Sequence, residues 1–235
     1  ITFMIPKEAF ASPHFNLSVS SGDTPADYVD SIKILIFFTM LTLLPSFIIM
    51  FTSFTRITVV FSLLKNAIGA QQSIPSQILV GLAIFLTIFI MQPVYTEINE
   101  VALKPYSNEE ITFEQALENA SNPLKDFMLK ETRQKDLELF VDAAKLNSGE
   151  LTRENIPLYS IVPAFAISEL KTAFQIGFLL FVPFMVIDMI VASVLMSMGM
   201  MMIPPTVISL AFKLLLFVMV DGWNLIIKSL ITSFS

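Results

Sequence analysis

The 235-residue sequence has no cysteine, a single histidine and only 7 glycines, and just 14% of its residues are charged. Without cysteine the chain can form no disulfide, no thiolate zinc site and no thiol nucleophile. His14 stands without neighbouring ligand types, and so few glycines leave little room for phosphate-binding loops. Soluble domains carry roughly a quarter charged residues, so the composition argues against an ordinary soluble enzyme. We expect no catalytic residue, no bound metal or cofactor and no nucleic-acid partner.

Hydrophobic residues make up 54% of the chain, and the mean hydropathy is +0.73. The charges are concentrated: residues 97–156 hold 13 of the 20 acidic and 7 of the 14 basic residues, so this window carries the whole net charge of −6. We therefore predict four segments. They are an extracytoplasmic amino-terminal segment (1–30), a first hydrophobic helical pair (31–96), an acidic helical insert (97–157) and a second hydrophobic helical hairpin (158–235).

Long apolar runs flank the insert, at about Ile32 to Phe54, Ile74 to Tyr95, Leu158 to Met198 and Ile203 to Ile231. A helix needs about 20 residues to cross a hydrocarbon core of about 30 Å. The simple expectation is an all-α protein with four membrane spans. The third run is too long for one straight span, so we expect it to bend near Gly177 or Pro183.

The orientation follows from the distribution of charge around the first two runs. Between them lie Arg56 and Lys65 and no acidic residue, whereas Asp23, Asp27 and Asp30 precede the first run. Short basic loops remain cytoplasmic, so we expect this loop inside and the insert and both termini outside. The first residue is not methionine, and we expect that an upstream segment has been removed.

The insert has the pattern of short helices. Thr112 and Gln115 fit a capping box, and Asn122 followed by Pro123 predicts a second helix start. An apolar stripe then continues until Asn147, Ser148 and Gly149. The insert is either a small solvated cap or a docking surface for neighbouring subunits, and the two interpretations are compatible.

Several charged residues lie within or beside the apolar runs, where exposure to lipid is costly. If the intervening turn centres near Met202, Asp188 and Lys213 lie about 21 Å and about 16 Å from it along antiparallel helices, so we predict that they pair. The pair either fixes the register of the two helices or serves as a proton relay. The other charges expected to be buried are Arg56, Glu169, Lys171 and Asp221, and Lys228 lies at the edge of the last run.

Methionine is unevenly distributed, since 6 of the 13 methionines fall between Met189 and Met202. Met200, Met201 and Met202 are consecutive, next to a turn closed by Pro204 and Pro205. Three side chains in a row point in different directions, unlike a helical core stripe, and methionine repacks easily around irregular partners. Copies of this turn around an axis could form a deformable apolar constriction. The alternative is a buried packing loop.

Three stretches of the chain are distinctive. The first is TSFTRITVVFSLLKNAIGAQQSIPSQILVGLAIFLTIFIMQPVY, from Thr52 to Tyr95. The second is PAFAISELKTAFQIGFLLF, which starts at Pro163, and the third runs from Pro183 through Asp188 to MGMMMIPP, ending at Pro205. The first resembles the corresponding stretch of the FliP family of flagellar type III export proteins, and the other two resemble two signatures of that family. Together they cover most of the chain outside the amino-terminal segment and the insert.

This resemblance implies a pore subunit of the export gate in the inner membrane of the flagellar basal body. The gate is a helical hetero-oligomeric pore of further FliP copies with FliQ and FliR, joined by FlhB and FlhA, and it conducts unfolded flagellar subunits. The methionine gasket of the family maps onto Met198, Met200, Met201 and Met202. The resemblance also implies that the helices are lifted largely above the membrane plane, with lipid covering only part of them.

A second hypothesis is a small-solute transporter or channel subunit that uses the same polar residues in apolar helices. An enzyme fits less well. Asp188 and Asp221 lack the motifs of an intramembrane aspartyl protease, and the phosphate-binding and zinc-protease motifs GxxxxGK[ST], GxGxxG and HExxH are missing from the sequence.

Overall fold

The computed structural model describes residues 25–70, 74–146, 155–200 and 202–234. Within these ranges every element is helical, which confirms the expected all-α class. The elements are α1 (Pro25–Phe51), α2 (Phe54–Ile68), α3 (Ser76–Ile98), a π-helical turn (Asn99–Leu103), α4 (Lys104–Ser107), α5 (Phe113–Glu131), α6 (Gln134–Ala143), α7 (Leu158–Ser197), α8 (Pro205–Met219) and α9 (Gly222–Thr232). His14, Met201 and the predicted insert end at Asn147 lie outside the described residues.

Internal contacts divide the chain into two units, one up to Pro45 and one from Ser46 onward. The described part of the first unit is the apolar body of α1, whose large side chains are exposed from Ile32 to Leu43. Its threonine hydroxyls bond back into the helix, as Thr39 Oγ1 does to the Leu35 carbonyl at 2.7 Å. Such back-bonding satisfies a polar side chain in apolar surroundings.

Helix α2 forms the centre of the second unit, where the sequence predicted a cytoplasmic loop. Its apolar residues recur at helical spacing, and Ile57, Val60, Phe61 and Leu64 are almost fully buried. Gly69 ends the helix at φ 82°, a left-handed conformation that glycine adopts without steric cost. The loop prediction was wrong, because the apolar residues between Arg56 and Lys65 recur with the 3.6-residue period of a helix.

Helix α7 packs most extensively against α2. The two run parallel, since Arg56 contacts Glu169 near one end and Leu63 lies against Gly177 further along. A Cβ atom at Gly177 would overlap the side chain of Leu63, so this glycine allows the close approach. Helix α7 remains continuous over 40 residues, with Pro163 and Pro183 inside it. The bend predicted near Gly177 or Pro183 therefore does not interrupt the helix.

The last apolar run is broken where the sequence predicted one continuous stretch. Helices α8 and α9 meet at an angle of 64°. Asp221, between them, has φ 50°, and the Phe217 and Trp223 rings meet edge to face at 5.3 Å across the bend. The Phe217 ring also lies against Gly222, where a Cβ atom would overlap it, and a hydropathy count does not report such a contact.

The insert contains helices, but their boundaries differ from those predicted. The capping box is confirmed: Thr112 Oγ1 accepts from the Gln115 amide, and Gln115 Oε1 accepts from the Thr112 amide at 3.0 Å. No new helix starts at Asn122, because α5 continues through a buried Pro123 to Glu131. The preceding hydrophobic helix also extends past residue 96, through the π-helical turn to Ser107.

Two helical stretches are long and apolar enough to cross a membrane, Ser76–Ser107 and Leu158–Ser197. Counting each bent pair as one span adds residues 32–51 and 205–232, for up to four among the described residues. Four was the number expected from hydropathy. At about 1.5 Å per residue, α7 is about 60 Å long, which is about twice the hydrocarbon thickness.

Candidate functional site

A buried charge cluster joins α2, α5, α7 and the residues that follow α9. The Arg56 side chain is only 2% exposed, and that of Glu169 is fully buried. Arg56 Nε donates to Glu169 Oε2 at 2.9 Å, and Arg56 Nη2 donates to Glu169 Oε1. This two-pronged contact matches the planar guanidinium to the planar carboxylate. It brings together two of the charges that the sequence predicted to be buried.

The remaining donors of Arg56 reach the insert and the residues after α9. Nη2 bonds Glu131 Oε2 at 2.8 Å, at the end of α5. Nη1 donates to the Ser233 carbonyl at 2.8 Å and to Ser233 Oγ at 3.0 Å. All five N–H groups of the guanidinium are thus used, which a buried arginine requires. This single cation faces two carboxylates and has no N–H group left for a further acceptor.

Polar contacts also attach the insert to α7 next to this cluster. Arg133 Nη2 donates to Gln175 Oε1 at 2.6 Å and to Thr172 Oγ1 at 3.2 Å. Ser168 Oγ accepts from the Arg133 amide at 3.0 Å and donates to Asp136 Oδ2 at 2.8 Å. The insert is therefore docked on its own chain through specific hydrogen bonds, beyond the solvated cap that was one interpretation of the sequence.

Asp188 and Lys213 lie opposite each other on the antiparallel helices α7 and α8. Lys213 Nζ is 2.6 Å from Asp188 Oδ2 and also donates to the Ala67 carbonyl at 3.0 Å. Ser209 Oγ donates to the other carboxylate oxygen at 2.6 Å. Ala67 is near the carboxyl end of α2, where the helix dipole favours a cation. Through the buried side chain of Lys213, these contacts join α2, α7 and α8.

The methionine-rich turn lies at the far end of α7. Gly199 has φ 75°, and the Gly199 and Met200 amides donate to the Met196 and Leu195 carbonyls at 3.1 and 3.0 Å. These two bonds form a Schellman motif that closes the helix. Met198, Met200 and Met202 are exposed, and Met202 is 97% exposed. In the single chain these methionines are not buried packing residues.

In the single chain, two of the charges expected to be buried are exposed. Lys171 lies on the outer face of α7, two residues after the buried Glu169, and Asp221 lies at the bend before α9. Lys228, also exposed, lies on the outer face of α9. Within one chain, position in an apolar run does not decide burial, because the face that a residue occupies on its helix decides what covers it.

Sequence reasoning missed the partners that the insert and the end of α9 supply to Arg56. Glu131 is one of the 13 acidic residues of the insert and carries no pattern that separates it from the others. Ser233 contributes a backbone carbonyl, which leaves no signal in a sequence. Among the described residues there is also no group of three histidine or acidic side chains that could hold a metal ion.

Comparison with known proteins gives one consistent family. A model described as "FliP family" matches residues 37–230. The Flagellar biosynthetic protein FliP of Bacillus subtilis (strain 168) is 52% identical over 218 residues, covering 93% of this chain and 98% of the relative. The protein of the same name from Aquifex aeolicus is 50% identical over 223 residues, with 94% and 92% covered.

A more distant relative agrees over almost the whole chain. The Flagellar biosynthetic protein FliP of Caulobacter vibrioides is 47% identical over 231 residues, which cover 98% of this chain and 86% of the relative. The match to the family model includes α2, α7 and α8, and so contains Arg56, Glu169, Asp188 and Lys213. This chain belongs to the FliP family.

Proposed function

We propose that this chain is a core pore-forming subunit of the flagellar type III export gate, which conducts unfolded flagellar proteins across the inner membrane. The observation that carries the proposal is the turn between α7 and α8, where Met198, Met200 and Met202 are exposed at the tip of two apolar helices. Exposed flexible apolar side chains at such a tip can close a narrow passage against water and still yield to a polypeptide.

Membership of the FliP family supports the flagellar assignment, because the matching relatives are named flagellar biosynthetic proteins. We propose that Met201 completes the gasket with these three methionines. The proposed partners are further copies of this chain, FliQ, FliR, FlhB and FlhA, together with the exported subunits and membrane lipid. The extensive apolar exposure of α3, α7 and α8 in the single chain supports a state in which partner chains or lipid cover these helices.

We further propose that the insert lies on the extracytoplasmic side of the inner membrane, within the basal body. Asp23, Asp27 and Asp30 before the first apolar run and Lys65 after it still favour that orientation, although Arg56 is buried against Glu169. The Asp188–Lys213 pair then has a structural role. It fixes the register of α7 against α8, so that the methionine turn of every copy lies at the same position along the pore. Its contact with the Ala67 carbonyl supports this role, since it ties the same hairpin to α2.

In the test, the chain is expressed together with its proposed partner chains in a flagellated bacterium whose own copy of this protein has been deleted. Replacing Met198, Met200 and Met202 together by alanine should raise the ion permeability of the inner membrane and slow growth. Secretion of flagellar subunits should change in the same cells. Permeability is read with a potential-sensitive dye, and export from the flagellar protein in the medium.

Met219→Ala is the matched control, because Met219 is an exposed methionine at the other end of α8. It should leave permeability and export unchanged. An unaltered permeability and unaltered export in the triple variant would contradict the gasket. Normal motility in cells lacking the chain, with loss of uptake of a small solute, would contradict the export function and favour a transporter.

A further inference from the structure

We infer that the residues after α9, Ser233 and Phe234, form a clasp that holds the insert helix α5 on α2. The clasp consists of these two residues with Arg56, Phe127 and Lys130. Its consequence is that the docked position of the insert depends on α9 having packed in place. The inference concerns this single chain and is independent of the proposed export function.

The ring of Phe234 is the central contact. The guanidinium carbon of Arg56 lies 3.7 Å from the ring centroid, a cation–π geometry. Phe127 of α5 stacks on the same ring at 6.3 Å with an interplanar angle of 19°. Phe127 also meets Phe165 of α7 edge to face at 5.9 Å. One aromatic side chain after α9 therefore lies between the buried arginine and the insert.

Hydrogen bonds hold the backbone of the same two residues from both sides. Arg56 Nη1 donates to the Ser233 carbonyl at 2.8 Å, from α2. Lys130 Nζ donates to the Phe234 carbonyl at 3.3 Å, from the insert. Ser233 Oγ is oriented by its own bond to the Leu230 carbonyl at 2.7 Å. The two carbonyls thus bridge a cation of α2 and a cation of α5.

Without the clasp, the insert keeps other contacts with its own chain. It packs on α7 in a small apolar cluster whose buried residues are Met128, Ile156, Ile161 and Phe165, with partly buried residues of α5 and α6 around them, and α5 also packs along α3. Arg133 and Asp136 form hydrogen bonds with α7, and Glu131 pairs with Arg56. Much of this contact surface is polar, and such surfaces open locally more readily than an apolar core, so removing the clasp should loosen the insert.

The order in which the partners of Arg56 occur in the sequence determines when the clasp can form. The partners of Arg56 lie 75, 113 and 177 residues later in the sequence, at Glu131, Glu169 and Ser233. The insert and α7 are therefore synthesised before α9, and the two Nη1 donors lack their acceptors in the chain until Ser233 is in place. A buried donor without an acceptor is costly, so full docking of the insert should wait for α9.

The experiment measures how fast trypsin cleaves the full chain after Lys130 and Arg133 under native conditions in detergent. Phe234→Ala should accelerate cleavage at these sites by about tenfold, because the ring joins two partners at once. Phe127→Ala should act similarly, and the double variant should be no faster than the faster single variant. Phe113→Ala is the control, since Phe113 is an exposed phenylalanine of the same helix, and it should leave the rate unchanged.

Phe234→Leu keeps an apolar side chain and provides a variant that folds if the alanine variant does not accumulate. It should accelerate cleavage by about threefold, since it loses the ring and retains the bulk. Wild-type cleavage rates in the Phe234 variants would overturn the inference. Fully additive effects of the Phe234 and Phe127 changes would also overturn it, because independent contacts add.

Discussion

Arg56 and Glu169, separated by 113 residues in the sequence, form a two-pronged ion pair between the parallel helices α2 and α7. Both side chains are almost fully buried, and both lie in segments whose neighbours are apolar. The pair is the meeting point of the hydrophobic helices with the insert, through Glu131, and with the end of α9, through Ser233.

The first prediction concerns this pair. Arg56→Ala and Glu169→Ala should each destabilise the chain by about 3–5 kcal/mol, because each leaves the other partner buried without a counterpart. Arg56→Lys should also destabilise, since a lysine keeps the charge but cannot supply five donors in a plane. Thermal unfolding of the purified chain gives the comparison.

Lys171→Ala is the control for these variants. Lys171 is on the same helix, two residues from Glu169, but is exposed. Its removal should change the free energy of unfolding by less than about 0.5 kcal/mol. Equal effects of Lys171→Ala and Glu169→Ala would contradict the importance assigned to the buried cluster.

The second prediction separates the two roles considered for Asp188 and Lys213. Asp188→Lys and Lys213→Asp should each abolish function and destabilise the α7–α8 hairpin, because each places two like charges in contact. If the pair fixes helix register, combining the two reversals should restore part of the stability and of the function. Motility and unfolding are measured on the same four proteins.

A proton relay would respond differently, since reversing both positions moves the titrating carboxyl from α7 to α8. Restored stability with function still absent would therefore favour the relay. If neither stability nor function returns, the 2.6 Å contact between Lys213 Nζ and Asp188 Oδ2 is not the reason why either residue is needed.

The third prediction concerns the close approach of α2 and α7. Gly177→Ala should destabilise by about 1–3 kcal/mol, because the new Cβ overlaps the side chain of Leu63. Leu63→Ala should recover part of this loss in the double variant, since it makes room at the same contact. Gly81→Ala is the matched control: a Cβ there meets no other described atom within 4 Å, and alanine favours the helix by up to about 1 kcal/mol. A similar loss in both glycine variants would contradict the packing account.

The fourth prediction concerns the bend between α8 and α9. Asp221 has φ 50°, a region that asparagine and glycine tolerate and a β-branched residue does not. Asp221→Asn and Asp221→Gly should leave stability within about 0.5 kcal/mol of wild type, whereas Asp221→Val should lose about 1–2 kcal/mol. Denaturant unfolding of the three variants gives the ranking. Equal stability of the valine and asparagine variants would show that the backbone conformation at the bend is not what selects the residue.

Some features could be predicted because they depend on neighbours in the sequence. The capping box at Thr112 and Gln115 needs only a spacing of three residues, and it forms as predicted. The Asp188–Lys213 contact could be predicted from the position of one turn, near Met202, and the rise per residue of an α-helix. The break at Asp221 and the continuity of α5 through Pro123 could not be predicted in this way. Asp221 takes a left-handed conformation within an apolar run, and Pro123 lies inside a continuous helix, and neither follows from the local sequence preference.

Composition, periodicity and motif identity are properties of neighbouring residues, so they were enough to predict an all-helical FliP-family protein with apolar helices and one acidic insert. They did not show that the basic stretch around Arg56 is a buried helix, or that Glu131, Glu169 and Ser233 share its guanidinium. A buried charge takes the partners that lie near it in space. Residues 75 to 177 positions apart meet only once the helices have packed.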